Sequence, residues 1–306
     1  MLNQLKTEFF KLRKRWLPYV LMVVMLASVL LPIVINYINY NDILSKHPEL
    51  NDVEVIINPD GSTEITGLPH PEPGSSFDFE SSFLARQLAR YKQSLVLPGA
   101  MENVFNSVPG FGMFLVIVFA ASVIGNEYAW GTVRQSIARG TSRLSYFVAK
   151  LLTSAIGAAA GILIAVLAGF IATIITSLLV EGAILWEGFA AWFFTSLGCS
   201  FLVIAVYLAM ANFFAVALRS AMAGMAVAVA WFIGESIVLA LVSMSTGWLA
   251  DTSVYFISYN TSQLLSIGGA EGFDGFLWKP VLILAGYIVV FIAGAYGVFR
   301  RQDLNA

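Results

Sequence analysis

The chain has 306 residues, of which 58% are hydrophobic and 12% are charged, about half the charged fraction of an ordinary soluble domain. This composition excludes a soluble globular protein and indicates an integral membrane protein. The net charge of −2 says little, because the charges are segregated along the chain. A single cysteine, Cys199, excludes an intrachain disulfide and a cysteine-based metal cluster.

Residues 1–16 predict an amphipathic helix at the cytoplasmic membrane interface. Large apolar residues recur at steps of three and four: Leu2, Leu5, Phe9, Leu12 and Trp16. Basic residues lie between them: Lys6, Lys11, Arg13, Lys14 and Arg15. Such a helix places its apolar face in the acyl boundary and its cations among anionic headgroups. A basic flank that only fixes the membrane topology explains the same residues equally well.

Six apolar segments are predicted to span the membrane as helices, because about 20 helical residues cross the hydrocarbon core. They cover residues 17–38, 109–124, 144–180, 190–218, 221–244 and 280–299. The first is too long for the apolar region of a signal peptide, and no small-residue cleavage site follows it, so we expect it to be a retained span. The predicted fold is an all-α membrane protein with six transmembrane helices.

A polar insertion, residues 39–108, separates the first two predicted spans. Within it, residues 53–57 and 62–68 flank the turn-forming sequence Asn-Pro-Asp-Gly at 58–61, which predicts a β-hairpin. Residues 76–96 carry large apolar side chains at helical spacing. We therefore expect a small extracytoplasmic unit made of a hairpin and a helix.

Small residues recur every four positions along the third span, at Gly157, Gly161, Ala165 and Gly169. Such a stripe lets another helix backbone approach closely. The sequence leaves open whether the contact is internal or a seam between two copies.

The positive charges predict the orientation. With six spans both termini lie on one side, and that side receives 12 of the 17 Lys and Arg residues. The opposite side receives 15 of the 19 acidic residues. Because positively charged segments stay in the cytoplasm, both termini and the segment between spans two and three are expected to be cytoplasmic. The protein is thus expected to be a multi-pass protein of the inner membrane.

No catalytic or nucleotide-binding motif is recognisable. No lysine follows a glycine, which excludes a Walker A loop, and the chain lacks the HExxH and GxSxG patterns of hydrolases. We therefore expect a protein that is not an enzyme and that holds neither a cofactor nor a metal.

Glu235 lies in the middle of the fifth span, where a charge is costly. Two interpretations carry similar weight. The carboxyl group is either a structural partner of a neighbouring helix or a polar contact in a transport pathway that senses protons.

The segment Gly125–Arg143 is polar, carries three arginines and joins two strongly apolar spans. It resembles the corresponding segment of ABC-2 type exporter permeases, which has a glutamate, then Gly-Thr-aliphatic, then a polar or basic turn and Ser-Arg. The matching residues are Glu127, Gly131, Thr132, Val133, Arg134, Ser142 and Arg143. Where that family often has proline, this chain has Arg139-Gly140-Thr141. The order of spans and the Phe-Arg-Arg-x-Asp ending, residues 299–303, extend the resemblance over the chain.

The resemblance implies the permease of an ATP-driven exporter. A separate ABC ATPase would bind ATP and Mg²⁺ and dock on a coupling helix between spans two and three, and a second copy or a related permease would complete the membrane unit. The residues expected to dock or shape this helix are Glu127, Gly131, Thr132, Arg134, Arg139 and Arg143. The alternative for the arginines is binding to lipid headgroups.

Two other functions remain open at the level of sequence. The first is a membrane sensor or immunity protein whose insertion at 39–108 binds a peptide or lipid without transport. The second is an ion-coupled transporter that uses Glu235. If the chain transports, its uniformly apolar spans favour a hydrophobic or amphipathic substrate such as a lipid, drug or peptide.

Overall fold

The chain folds as a helical membrane protein, and its computed structural model describes residues 2–50, 54–57, 63–66, 77–180, 189–244, 251–266 and 278–302. The α-helices in these ranges are α1 (Leu2–Lys14), α2 (Leu17–Lys46), α3 (Phe77–Leu95), α4 (Gly99–Ala129), α5 (Thr132–Ala138), α6 (Arg143–Leu179), α7 (Phe189–Ala217), α8 (Ala221–Ser243), α9 (Ile257–Ser266) and α10 (Trp278–Arg301). Helices α2, α4, α6, α7, α8 and α10 are long and apolar enough to cross a membrane. The described residues therefore contain six candidate spanning helices, the number that the sequence predicts.

Four of these helices agree with the predicted spans to within two residues at each end, and two are longer. Helix α2 continues past residue 38 to Lys46. Its extra turns are held because Tyr40, Ile43 and Leu44 pack against α3 in a small separate core. Apolar packing outside the spans therefore extends α2.

Helix α4 begins at Gly99, ten residues before the predicted start at 109. Its added turns bury Met101, Val104 and Phe105 in the main core. Pro109 lies inside the helix and is itself buried. Packing therefore outweighs the loss of one backbone hydrogen bond at the proline.

Helices α4 and α7 form the centre of the bundle. In each of them, 72% of the most apolar 18-residue stretch is buried inside the protein, whereas in α8 only 6% of that stretch is buried. Helix α4 contacts α2, α6, α7 and α8, and α7 also contacts α10. The outward faces of α2, α8 and α10 carry exposed large apolar side chains, as expected for surfaces that face lipid or another protein.

Two strands lie in the insertion between α2 and α4. Strands β1 (Glu54–Ile57) and β2 (Thr63–Thr66) pair antiparallel, with residue 54 opposite 66 and residue 57 opposite 63. These strands lie within the two stretches predicted to form a hairpin, and its predicted turn at 58–61 lies outside the described residues. The predicted helix at 76–96 corresponds to α3.

The end of α6 holds the junction between α3 and α4. The hydroxyl of Thr176 donates to the backbone carbonyl of Leu95 at 2.8 Å. The backbone N–H of Leu97 donates to the hydroxyl of Ser177 at 3.2 Å. Because these polar groups are buried, their pairing fixes α3 and α4 to α6.

The small-residue stripe of α6 is an internal contact. A side chain at Gly157 would come within 2.6 Å of the Phe119 ring, and one at Gly169 within 2.7 Å of Val104. Both partners belong to α4. The stripe thus allows α4 to approach α6, and only Gly161 has open space in the direction of a side chain.

Glycines also set the spacing at α8. A Cβ atom at Gly125 of α4 would overlap the backbone of Ala221, the first residue of α8. A Cβ atom at Gly224 of α8 would lie 2.6 Å from the Cα atom of Ala215 in α7. The three helices therefore meet through backbone contacts that admit no larger residue.

We expect Gly125→Leu to destabilise the protein strongly, because the added side chain must displace the start of α8. Overpacking of this kind costs about 1–3 kcal/mol or more. The measurement is thermal unfolding of the purified protein in detergent. Gly198→Leu is the matched control, since a Cβ atom at Gly198 has no neighbour within 4 Å. Equal unfolding temperatures for the two variants would contradict this packing.

Candidate functional site

The segment between α4 and α6, which we call the elbow, comprises residues 130–142. Helix α4 ends at its start, and the short helix α5 occupies its centre. Gly131 and Gly140 have φ values of 65° and 87°, in the left-handed region that glycine adopts without steric cost. The hydroxyl of Ser142 then accepts the N–H of Ser145 at 3.2 Å and caps α6. Glycine thus provides the turns at both ends of α5.

One face of α5 is packed and the other is exposed. Val133 is buried in a small core with Ile124 and Phe147, and Ile137 packs against the same core. The side chains of Arg134 and Arg139 are exposed. The elbow therefore holds a fixed position and presents two guanidinium groups outward.

Glu127 lies one turn before the elbow and is completely buried. Its carboxylate lies 3.0 Å from the guanidinium of Arg15, 3.0 Å from the ammonium of Lys150 and 3.7 Å from that of Lys11. The hydroxyl of Thr132 donates a hydrogen bond to the same carboxylate. Cations from α1, from the α1–α2 junction and from α6 thus converge on one side chain of α4.

Glu8 of α1 completes this group of charges. Its carboxylate pairs with Lys150 and lies 3.0 Å from the ammonium of Lys11. We call Glu8, Lys11, Arg15, Glu127 and Lys150 the charge cluster. Burying an ion is costly unless it is paired and hydrogen-bonded, so the cluster is stable only while its members stay together.

Helix α1 runs alongside the first turns of α6. The hydroxyl of Ser145 donates to the side-chain amide of Gln4 at 2.6 Å, and Leu12 lies beside Gly157. The contacts with Glu8 lie between these two levels. From Ser145 to Gly157, the contacts with α1 extend over about 18 Å of α6 at 1.5 Å per residue. The protein-facing side of α1 therefore carries both polar contacts and apolar contacts such as that of Leu12.

A second network joins the elbow to the end of the chain. The guanidinium of Arg143 donates to the backbone carbonyls of Arg300 at 2.7 Å and Gln302 at 3.0 Å. The hydroxyl of Tyr128 donates to the Gln302 amide oxygen at 2.9 Å, and the amide nitrogen donates to the Val216 carbonyl at 2.8 Å. The end of α10 is thereby fixed to α4, α6 and α7.

The six residues predicted to dock the ATPase or shape the coupling helix therefore separate into two groups. Arg134 and Arg139 are at the surface. Glu127 and Arg143 use their charged groups on contacts within the chain, while Gly131 and Thr132 shape the turn. The sequence placed all six in one segment, but it did not separate the surface residues from the internal ones.

The partners of Glu127 were not predicted, although the sequence contains signals for them. Glu8 is the one acidic residue among the five cations that precede α2, and it stands three residues from Lys11. Lys150 lies eight residues inside an apolar helix. A lone acid in a basic helix and a lone base in an apolar one are each unfavourable without a partner, and their pairing satisfies both.

Glu235 lies apart from the elbow. Its carboxylate accepts the backbone N–H groups of Ile257 and, at 3.3 Å, Ser258. These residues begin α9, whose first N–H groups have no partner within the helix. Glu235 thus caps the start of another helix, which fits its structural interpretation.

We expect Glu127→Gln to lower the free energy of unfolding by about 3–5 kcal/mol, the usual cost of leaving buried charges unpaired. Adding Lys150→Met should recover part of the loss, because it restores the net charge of the cluster. Thermal unfolding in one detergent measures both. Asp42→Asn is the control, since the pair of Asp42 and Lys46 is exposed and contributes less than about 1 kcal/mol. An unchanged unfolding temperature in Glu127→Gln would contradict the role of the cluster.

Capping by Glu235 predicts different effects for two substitutions. Glu235→Gln keeps an oxygen acceptor and should preserve α9, while Glu235→Leu should speed amide hydrogen exchange in residues 257–266. The expected cost of the lost cap is about 0.5–2 kcal/mol. Exchange in α7 serves as the internal control. Equal exchange in both variants would contradict capping, and altered pH dependence of transport in Glu235→Gln would favour the pathway interpretation.

A family model described as ABC-2 family transporter protein matches residues 2–304. No match was found among the curated proteins searched. Because the family match extends from the first residues of α1 to beyond the end of α10, the chain belongs to the ABC-2 transporter family.

Proposed function

We propose that the chain is the permease subunit of an ATP-driven exporter and that a separate ABC ATPase supplies the energy. ATP and Mg²⁺ would bind to that partner. Membership of the ABC-2 family implies such an ATPase, and the sequence has no Walker A loop of its own. The permease then needs a surface on which the motor can act.

The observation that carries the proposal is an exposed pair of arginines on a firmly held elbow. Arg134 and Arg139 project from a segment whose two ends are held by glycine turns and by hydrogen bonds at Thr132 and Ser142. A force applied to exposed charges on such a segment reaches the spans without being lost in local bending.

Division of labour within the elbow follows from the contacts. Arg134 and Arg139 bind the ATPase directly. Glu127, Gly131, Thr132 and Arg143 set and hold the shape of the elbow, because their polar groups and backbone conformations are committed within the chain. Headgroup binding by the two exposed arginines is the alternative, and charge reversal separates it from docking.

The charge cluster would pass motion from the elbow to three helices. Glu127 belongs to α4, Lys150 to α6, and Lys11 and Glu8 to α1. Separating Glu127 from Lys150 breaks an ion pair whose two side chains are almost completely buried, at a cost of several kcal/mol. The three helices therefore move as one unit when the elbow moves.

Contacts among α1, the elbow and the end of α10 support the proposed topology. The amide of Gln4 donates to the Thr141 hydroxyl at 3.2 Å, and Arg143 binds the last turn of α10. Helix α1 and the end of α10 thus both lie beside the elbow. Together with the excess of positive charge on this side, this favours a cytoplasmic elbow in the inner membrane.

A second permease, identical or related, would complete the pathway. The exposed apolar faces of α2 and α8 offer surfaces for it. The apolar spans favour a hydrophobic or amphipathic substrate, such as a lipid, drug or peptide.

Charge reversal tests the docking role. In Arg134→Glu/Arg139→Glu, co-purification of the ATPase and transport should fall by at least about tenfold, because like charges at an interface cost several kcal/mol. The matched control is Arg86→Glu/Arg90→Glu, which reverses two exposed arginines of α3. The control should retain the ATPase.

Retention of the ATPase by the elbow variant would reject docking through these arginines. Purification of the wild type without any P-loop subunit would reject the proposed function as a whole. Loss of the ATPase from both double variants would show a general charge effect and would likewise count against the proposal.

A further inference from the structure

A cavity of about 280 Å³ lies between α1, the start of α2, the middle of α4 and the first half of α6. We call it the α1 cavity. Its floor on α6 includes Gly161, where a side chain would meet no atom within 4 Å. Its wall on α4 includes Gly112 and Val116. The volume is close to the lower end of the range for ligand pockets, about 300–1,000 Å³.

The lining is apolar except at two residues. Among the described residues that form it, Arg13 alone carries a charge, and Tyr19 is the other polar side chain. A ligand that matches this surface has one anionic group and a long apolar part. Water alone would hydrate such a lining poorly.

Arg13 differs from the cations of the charge cluster. Lys11, Arg15 and Lys150 each pair with a buried carboxylate. Arg13 has no ion pair with any residue in the described part of the chain, and its side chain is exposed. Its charge is therefore available to an anion outside the protein.

The cavity opens on the outside of the helix bundle. Tyr19 and Ile156 both line it, and they are 52% and 43% exposed. Tyr19 lies near the N-terminal end of α2, where headgroups and the first part of the acyl chains are found, and Ile156 lies about 20 Å along α6 from its first residue. A lipid can thus enter from the surrounding leaflet.

We propose that the α1 cavity binds one acyl chain of an anionic phospholipid, whose phosphate pairs with Arg13. A lipid supplies both required parts, whereas a soluble anion would leave the apolar lining unfilled and an uncharged lipid would leave Arg13 unpaired. The bound chain packs against α1, α2, α4 and α6 and stabilises α1 beside the charge cluster. This site requires neither transport nor an ATPase.

The first test uses native mass spectrometry of the detergent-purified chain with added phosphatidylglycerol or phosphatidylcholine of identical acyl chains. The wild type should retain one phosphatidylglycerol and prefer it over phosphatidylcholine. Arg13→Gln should weaken the binding of phosphatidylglycerol by about fivefold, which is the effect of removing one cation near an anionic lipid. Lys14→Gln is the matched control, because the neighbouring Lys14 does not line the cavity.

The second test fills the cavity. Gly161→Phe should abolish the retention of phosphatidylglycerol. Gly286→Phe should leave it unchanged, because Gly286 also faces open space but lies on α10, which does not line the cavity. Phosphatidylglycerol with a photoreactive acyl chain should label residues 112–119 and 156–162 in the wild type. The labelling result holds even if Gly161→Phe folds poorly.

Three outcomes would overturn the proposal. They are equal retention of the two lipids by the wild type, equal retention of phosphatidylglycerol by Gly161→Phe and Gly286→Phe, and labelling confined to α8 and α10. The first would remove the preference for an anionic headgroup, and the other two would remove the cavity as the binding site. None of these outcomes bears on ATPase docking, which the elbow variants test separately.

Discussion

The arrangement of this protein depends on one buried carboxylate. Glu127 has no access to solvent, so its charge must be balanced by groups that the fold brings to it. The balancing cations belong to α1, to α6 and to the α1–α2 junction, and Thr132 of the elbow donates a hydrogen bond. The position of α1, the start of α6 and the direction of the elbow are thereby fixed by a single electrostatic requirement.

This requirement separates the helices into two sets. Helices α1, α4, α5 and α6 are joined at the elbow by charges and hydrogen bonds, while α8 meets α4 and α7 through glycine and aromatic contacts and has a largely exposed outer face. Polar contacts in a dry interior have few alternative geometries. Apolar contacts between smooth surfaces can shift more readily. The first set is suited to act as a rigid body against the second.

Much of the fold was predictable from the sequence, because hydropathy alone determines where helices can cross a bilayer. The end of α2 and the start of α4 were not, since the extra turns depend on contacts that Ile43 and Val104 make with helices distant in sequence. The same limit applied to the site. The segment with Glu127 and Arg134 could be located, but the inward or outward direction of each side chain depends on partners such as Lys150, which lies in another helix.

Helix α4 reaches both surfaces of the membrane protein without interruption. Its 31 residues amount to about 46 Å of helix, against about 30 Å for the hydrocarbon core. One end carries Glu127, and the other follows α3 after three residues. Axial displacement at the elbow must therefore shift the base of the insertion on the far side as well. Through α4, the insertion can therefore respond to a movement of the elbow, or restrain it, without contacting the elbow.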